Sequence, residues 1–202
     1  AAHPWHALIE VVADDAGAAS LGEQVETMLA DAFEQGLVAD ATIAANETQA
    51  EAFWLLRESV APAERAHGPA MQHDISVPVD RMPDFVDAAS AEIEASWPGT
   101  RVAAFGHLGD GNVHFNVRAA LGADSQAWLV REGHDVTAFV DDLVVKAGGS
   151  LSAEHGIGQI KLAEFTRISE PARLNMLRAI KQALDPHGIM NPGKLLPLAP
   201  ED

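Results

Sequence analysis

Apolar positions along this chain switch between strand-like density and helical spacing. Residues 5–13 carry Trp5, Ala7, Leu8, Ile9, Val11 and Val12, the density of a buried strand. Ser20-Leu21-Gly22-Glu23 has the spacing of a capping box, and after it Leu21, Val25, Met28, Leu29, Ala32 and Phe33 keep a helical period that Gly36 ends. Leu37–Ile43 reads as a second strand. Asn46 caps a helix expected to run to about Ala61, where Pro62 stops it. Residues 73–79, His-Asp-Ile-Ser-Val-Pro-Val, read as a strand, and Asp80 caps a helix through Met82, Phe85, Val86, Ala89 and Ile93. A long helix from about Asp124 to Ala147 carries Trp128, Val136, Phe139, Val140, Leu143 and Val144, and Gly148-Gly149 close it. Ser169 caps a last helix through Leu174, Leu177, Ile180 and Leu184.

Between the third and fourth helices lies Gly106-His107-Leu108-Gly109-Asp110-Gly111-Asn112-Val113-His114-Phe115-Asn116, entered by apolar residues from Val102. Asp110-Gly111 is a signal for a two-residue hairpin turn, because both central residues of a type I′ turn need φ > 0. With that turn, cross-strand partners have numbers adding to 221, so His107 faces His114 on one side of the sheet. Strands joined by helices, with at least one antiparallel hairpin, predict an α+β domain built as one sheet with helices on one face.

Two histidines in a hairpin also make an ordinary surface pair. Here Gly106, Gly109 and Gly111 leave room for close approach, and a second glycine-flanked polar cluster follows at Ser152-Ala153-Glu154-His155-Gly156-Ile157-Gly158. His107, His114 and Glu154 together make an open metal site of two imidazoles and a carboxylate. Zinc suits it best, and manganese or iron fits the same donors. A cation held there leaves coordination positions open for an oxygen ligand and lowers the pKa of a hydroxyl bound to it. His155, adjacent to a ligand, is then placed as the general base for the hydroxyl proton. Each residue has a plainer reading: Glu154 as a helix-terminal charge, His155 as a loop histidine, Asp110 as a turn former. Arg57 shares a helical stripe with Phe53 and Trp54, so it needs an anion, whether an internal glutamate or a ligand; it can also snorkel to water. His3, His6, His67, His73 and His134 read as ordinary.

Composition narrows the class. With 30 acidic against 13 basic residues the net charge is −17, which argues against nucleic acid and anionic membrane surfaces as partners. No apolar run reaches the length of a membrane span. There is no cysteine, so a metal site here uses histidine and carboxylate, and the absence agrees with a cytoplasmic location. A chain of 202 residues makes one large domain or two small ones. It starts at Ala1 and a strand pattern follows almost at once, which suits a segment of a longer chain.

The run 106–116, the cluster Ser152–Gly158 and the stretch Asp185-Pro186-His187-Gly188-Ile189-Met190-Asn191-Pro192-Gly193-Lys194 together resemble the C-terminal half of FAD-linked oxidases of the vanillyl-alcohol oxidase type. That family includes D-2-hydroxyglutarate dehydrogenases, D-lactate dehydrogenases and the glycolate oxidase D subunit. The resemblance implies that residues 1–202 form a substrate- and metal-binding domain with a ferredoxin-like sheet, and nothing in them resembles the N-terminal FAD-binding domain of such enzymes. It implies oxidation of a D-2-hydroxy acid to the 2-oxo acid by hydride transfer to FAD, with an acceptor such as an electron-transfer flavoprotein or a quinone beyond. It gives Arg57 the substrate carboxylate, Asn116 a substrate contact, and Asn191 and Lys194 positions near the flavin. Where the family usually has a lysine two residues before the aspartate of the Asp-Ile-Ser-Val-Pro strand, this chain has Gln72, which hydrogen-bonds but adds no charge. The resemblance therefore implies the reaction class and leaves the acid open. A homodimer is compatible with it, and this chain alone is expected to be inactive. The competing readings are a stand-alone His/His/Glu metal hydrolase and a non-catalytic binding subunit.

Overall fold

The computed structural model describes residues 3–14 and 20–197. The chain divides into two compact units, residues 1–67 and 68–202.

In the first unit, α1 spans Leu21–Glu34 and α2 spans Glu47–Ala66. Asn46 caps α2 as expected, its side chain accepting the Gln49 N–H at 3.0 Å. Ser20 stands at the start of α1 but its hydroxyl caps no backbone N–H, so the capping box does not form. Pro62 does not stop α2. A proline removes one rung of the helix ladder, and the ladder resumes beyond it, with the His67 N–H on the Ala63 carbonyl. The two strands expected at 5–13 and 37–43 are not formed in the structure. Their apolar side chains stay open to solvent, with Val12 84% and Leu37 75% exposed. An apolar run becomes a strand only against a partner edge, and neither segment pairs with one among the described residues.

The second unit carries the sheet. Strands β1 (Met71–Ser76), β2 (Arg101–His107) and β3 (Asn112–Arg118) lie in the order β1-β3-β2, with β3 antiparallel to both neighbours. Helix α3 (Met82–Ser96) connects β1 to β2, and α4 (Ser125–Lys146) follows β3. This is the split βαβ arrangement of a ferredoxin-like sheet. The place beside β1 where a fourth strand would pair is taken by the loop after α4: Ser76 and Ser150 exchange N–H···O bonds of 3.0 and 2.8 Å. Gly149 makes that approach feasible, because a Cβ there would lie 2.2 Å from the Ser76 carbonyl oxygen.

Period-two alternation sorts the strands onto two faces. Ile75, Val113, Phe115 and Val117 point one way and are wholly buried against Phe85, Ala89 and Ile93 of α3 and Val136, Val140 and Val144 of α4. Each such side chain contributes on the order of 1.5–3 kcal/mol of burial. The expectation of helices on one face holds. The α4 start also holds, since the Asp124 carboxylate caps the Ala127 N–H at 3.0 Å. Two short helices complete the unit: α5 (Leu162–Ile168), absent from the sequence reading, and α6 (Pro171–Leu184). Ser169 closes α5 and α6 begins after Glu170, with Pro171 in its first turn. Phe165, Leu174, Leu151 and Leu196 form a second small core between them.

Candidate active site on the open face of the sheet

The other face of the sheet carries polar side chains in three cross-strand rows. Gln72, Asn116 and Ala103 make one; Asp74, His114 and Phe105 the next; Ser76, Asn112 and His107 the third. The hairpin register differs from the one expected. Partners add to 219, so His107 faces Asn112 and His114 faces Phe105, and the two imidazoles are diagonal neighbours rather than opposed. The reason is the turn. Leu108–Asp110 form one turn of 3-10 helix and Gly111 closes it in the left-handed region at φ 72°, which makes a four-residue connection. The Asp110 carboxylate accepts the Asn112 N–H at 3.0 Å and accounts fully for Asp110 as a turn former. Both sums are odd, so both histidines keep the face the sequence assigned to them.

The centre of this face is Asp74, 4% exposed and missed by the sequence reading. One carboxylate oxygen, Oδ2, accepts the His155 N–H at 2.9 Å, the Glu154 N–H at 3.0 Å and the Ser152 hydroxyl at 3.3 Å. The Asp74 carbonyl accepts the Ala153 N–H at 3.3 Å and the Lys161 ammonium at 2.9 Å. Lys161 donates again to the Leu151 carbonyl at 2.6 Å. One strand residue and one lysine thus lay the whole of 151–155 along the free edge of β1. Burial by itself raises the Asp74 pKa, but the His155 and Glu154 N–H groups, with the positive charges of His155 and Lys161, outweigh it and leave the group below the usual carboxylate range. Burial lowers the Lys161 pKa against the pull of Asp74 and Asp141. A signal was present in the sequence. An aspartate inside an apolar strand must be paired or hydrogen-bonded, and its donors were to be sought some 80 residues downstream.

Two imidazoles flank the same carboxylate. His114 Nδ1 lies 3.9 Å from Asp74 Oδ1, and His155 Nδ1 lies 3.6 Å from Oδ2. The His114 ring sits 6.4 Å from the His155 ring and 5.0 Å from the Phe105 ring. Asp74, Glu154 and His155 each offer a donor atom within 4.8 Å of the others. The expected trio of His107, His114 and Glu154 does not close to that distance; His107 and Glu154 are exposed side chains on the rim. Two observations favour a ligand here. Asp74 Oδ1 is buried without a hydrogen bond, and Asn112, 2% exposed, has neither its amide oxygen nor its nitrogen bonded. A face that leaves such groups unsatisfied is suited to a polar or ionic guest. The nitrogen and carboxylate donors fit a divalent ion of the zinc, manganese or ferrous type.

The remaining expected residues are placed as follows. Asn116 is buried on the same face, and Gln72, exposed, is its partner across the strands. Arg57 is half-buried on α2 of the first unit. Asn191 and Lys194 lie in the C-terminal loop of the second. Asp185, 5% exposed, organises that loop by accepting the Ile189 and Met190 N–H groups at 3.0 and 2.8 Å and the Lys181 ammonium. Asn191 takes φ 46°, and the Leu195 N–H reaches the Gly158 carbonyl at 3.1 Å, which joins this loop to the end of the 152–158 cluster.

The family of FAD linked oxidases, C-terminal domain, matches residues 1–195. The chain belongs to that family. It is 37% identical over 194 residues to a D-2-hydroxyglutarate dehydrogenase of Xanthomonas citri pv. viticola, covering 96% of this chain and 40% of that protein. It is 35% identical over 175 residues to the mitochondrial D-2-hydroxyglutarate dehydrogenase of Arabidopsis thaliana, covering 87% of this chain and 30% of that protein. Against the mitochondrial D-2-hydroxyglutarate dehydrogenase of Bos taurus it is 34% identical over 194 residues, covering 96% and 34%. The chain thus spans between 30% and 40% of the length of these relatives. Among the described residues no helix is long and apolar enough to cross a membrane.

Proposed function

We propose that this chain is the substrate- and metal-binding part of an FAD-dependent dehydrogenase that oxidises a D-2-hydroxy acid to the 2-oxo acid. Family membership supplies the reaction class. The observation that carries the reading within this chain is the open sheet face, where His114, His155, Glu154 and a buried, incompletely bonded carboxylate converge. His107, His114 and Glu154 would hold the divalent cation, zinc first and manganese or iron next, with the exposed His107 and Glu154 side chains turning inward from the rim to reach it. Asp74 belongs behind them, because its Oδ2 already accepts three donors and its Oδ1 faces His114 Nδ1. When bound, the cation would supply polarisation of the substrate hydroxyl and FAD would supply the acceptor for the C2 hydride.

The chain's own residues do the rest. His155, exposed beside Glu154, takes the hydroxyl proton as general base. Asn116 donates to the bound acid from the sheet face. Arg57 pairs with the substrate carboxylate, a bond between charges worth roughly 1.5–3 kcal/mol. Gln72, paired with Asn116 on the same face, hydrogen-bonds but adds no charge, so the reading extends to the reaction class and leaves the acid open. Asn191 and Lys194 approach the flavin, which is held mainly by an FAD-binding domain. The partner implied beyond the flavin is an electron acceptor such as an electron-transfer flavoprotein or a quinone. A cytoplasmic location and a homodimer complete the proposal.

The test is dye reduction by the whole flavoprotein with D- and L-2-hydroxy acids. Turnover of the D acids, with His155→Gln lowering kcat by roughly 10²–10⁴-fold, supports the reading. Ester or amide hydrolysis with no oxidation of hydroxy acids would replace it with the hydrolase.

A further inference from the structure

The Asp74 carboxylate lies between two imidazole nitrogens of the same kind. Its Oδ1 is 3.9 Å from His114 Nδ1 and its Oδ2 is 3.6 Å from His155 Nδ1. Oδ2 is already occupied by the Glu154 and His155 N–H groups and the Ser152 hydroxyl, whereas Oδ1 is buried with no hydrogen bond. An ionised carboxylate is an acceptor only. Each neutral ring therefore gains by carrying its proton on Nδ1, the nitrogen facing Asp74, and its lone pair on Nε2.

We propose that Asp74 is the positioning residue of this site, fixing one tautomer on both His114 and His155 while it anchors the loop that carries Glu154. This deepens the functional reading above and rests on it for the purpose of the two Nε2 lone pairs. On His114 that lone pair is the metal donor; on His155 it is the proton acceptor. One buried carboxylate thereby couples the metal side of the site to the base side. Asp74 is on β1, His114 on β3 and His155 in the loop after α4, so this coupling is made by the fold and not by adjacency in sequence.

The geometry makes the two histidines respond differently to an isosteric change. In Asp74→Asn the amide oxygen replaces Oδ2, where two backbone N–H groups require an acceptor. The amide nitrogen then replaces Oδ1 and presents a proton toward His114 Nδ1. His114 should move its proton to Nε2 and lose its donor lone pair, while His155 keeps Nδ1–H.

The experiment is two-bond 15N–1H correlation of the histidine rings in the metal-free whole protein at alkaline pH. Nδ1–H on both His114 and His155 in the wild type is the expected result; Nε2–H on His114 overturns the proposal without any variant. In Asp74→Asn, a switch of His114 alone supports the proposal, and an unchanged His114 overturns it. Amide exchange at Ile75 and Val113 verifies that the variant's sheet is formed. Metal affinity should fall 10–100-fold in Asp74→Asn, the usual effect of removing a carboxylate behind a ligating histidine. The tautomers are read without metal or substrate. If His114→Ala instead bound metal as the wild type does, the functional reading would fall while the tautomer result still decided the role of Asp74.

Discussion

His73 and Asp74 are neighbours on one strand, nearly equally buried at 5% and 4% exposure, and they face opposite sides of the sheet. His73 enters the helix-covered side. Its Nδ1 donates to the Phe115 carbonyl at 3.0 Å and its Nε2 lies 3.4 Å from the Thr137 hydroxyl, so both ring nitrogens have partners. Burial lowers its pKa to about 4, and the ring is a neutral part of the core. Asp74 enters the open side, stays ionised and keeps one oxygen unbonded. Burial does not separate the two residues; unfilled hydrogen-bonding capacity does. The covered face uses its polar groups up, whereas the open face holds Asp74 Oδ1 and the Asn112 amide in reserve. Proteins relax the rule of full satisfaction chiefly where a ligand is to come.

The sharpest way to break this comparison is to truncate both residues. Asp74→Ala leaves two backbone N–H groups of the 151–155 segment without an acceptor, and should cost about 3–5 kcal/mol and abolish metal binding. His73→Ala opens a cavity and leaves the Phe115 carbonyl unpaired, for a cost of about 2–4 kcal/mol, with metal affinity unchanged. Urea denaturation and metal titration check both. Loss of metal in His73→Ala at a temperature where it is folded would mean that the faces are not separate.

A second prediction concerns pH on the covered side. His73 has a folded pKa near 4 against an ordinary 6.5, so its contribution is complete above 6.5 and is lost as pH falls toward 4. Asp141, 5% exposed on α4, has the opposite sign. Burial first, and then the charge of Glu164, raise its pKa to about 7, so its contribution is present below the ordinary 3.8 and is lost as pH rises through 7. Between pH 4 and 6.5 the two oppose each other and wild-type stability should be nearly flat. Asp141→Asn removes one, and its stability should rise by about 3 kcal/mol over that interval. A flat curve for Asp141→Asn would show that His73 is not held neutral by the core.

The smallest effect expected is at Gln72, on the open face two residues before Asp74. Gln72→Lys adds a cation to the row containing Asn116 and should lower KM for a 2-hydroxydicarboxylate about tenfold, roughly 1.4 kcal/mol, with little change for a monocarboxylate. Equal changes for both acids would place Gln72 outside the substrate's reach.

What the sequence made legible follows from range. The face of His107 and His114 was readable because side chains alternate strictly, and a turn longer by two residues shifts the pairing without changing sides. The turn itself was misjudged because Asp110-Gly111 fits a two-residue hairpin as well as the end of a 3-10 turn. Asn46 was readable as a cap because its acceptor serves an N–H group three residues on, and Asp124 does the same at the helix start that the spacing marked. Asp74 was not, because its donors lie 78 to 81 residues away and nothing local marks them. The segments 5–13 and 37–43 failed for the same reason, since strand formation depends on an edge that composition does not reveal.

The central claim is that the open face holds one divalent cation through His107, His114 and Glu154. Elemental analysis of the purified protein tests it most directly, with His134→Ala as the control, since the His134 side chain on α4 is 85% exposed. The wild type and His134→Ala should each carry about one zinc, manganese or iron per chain, and His114→Ala should carry less than about a tenth of that. Equal metal content in all three proteins would contradict the claim.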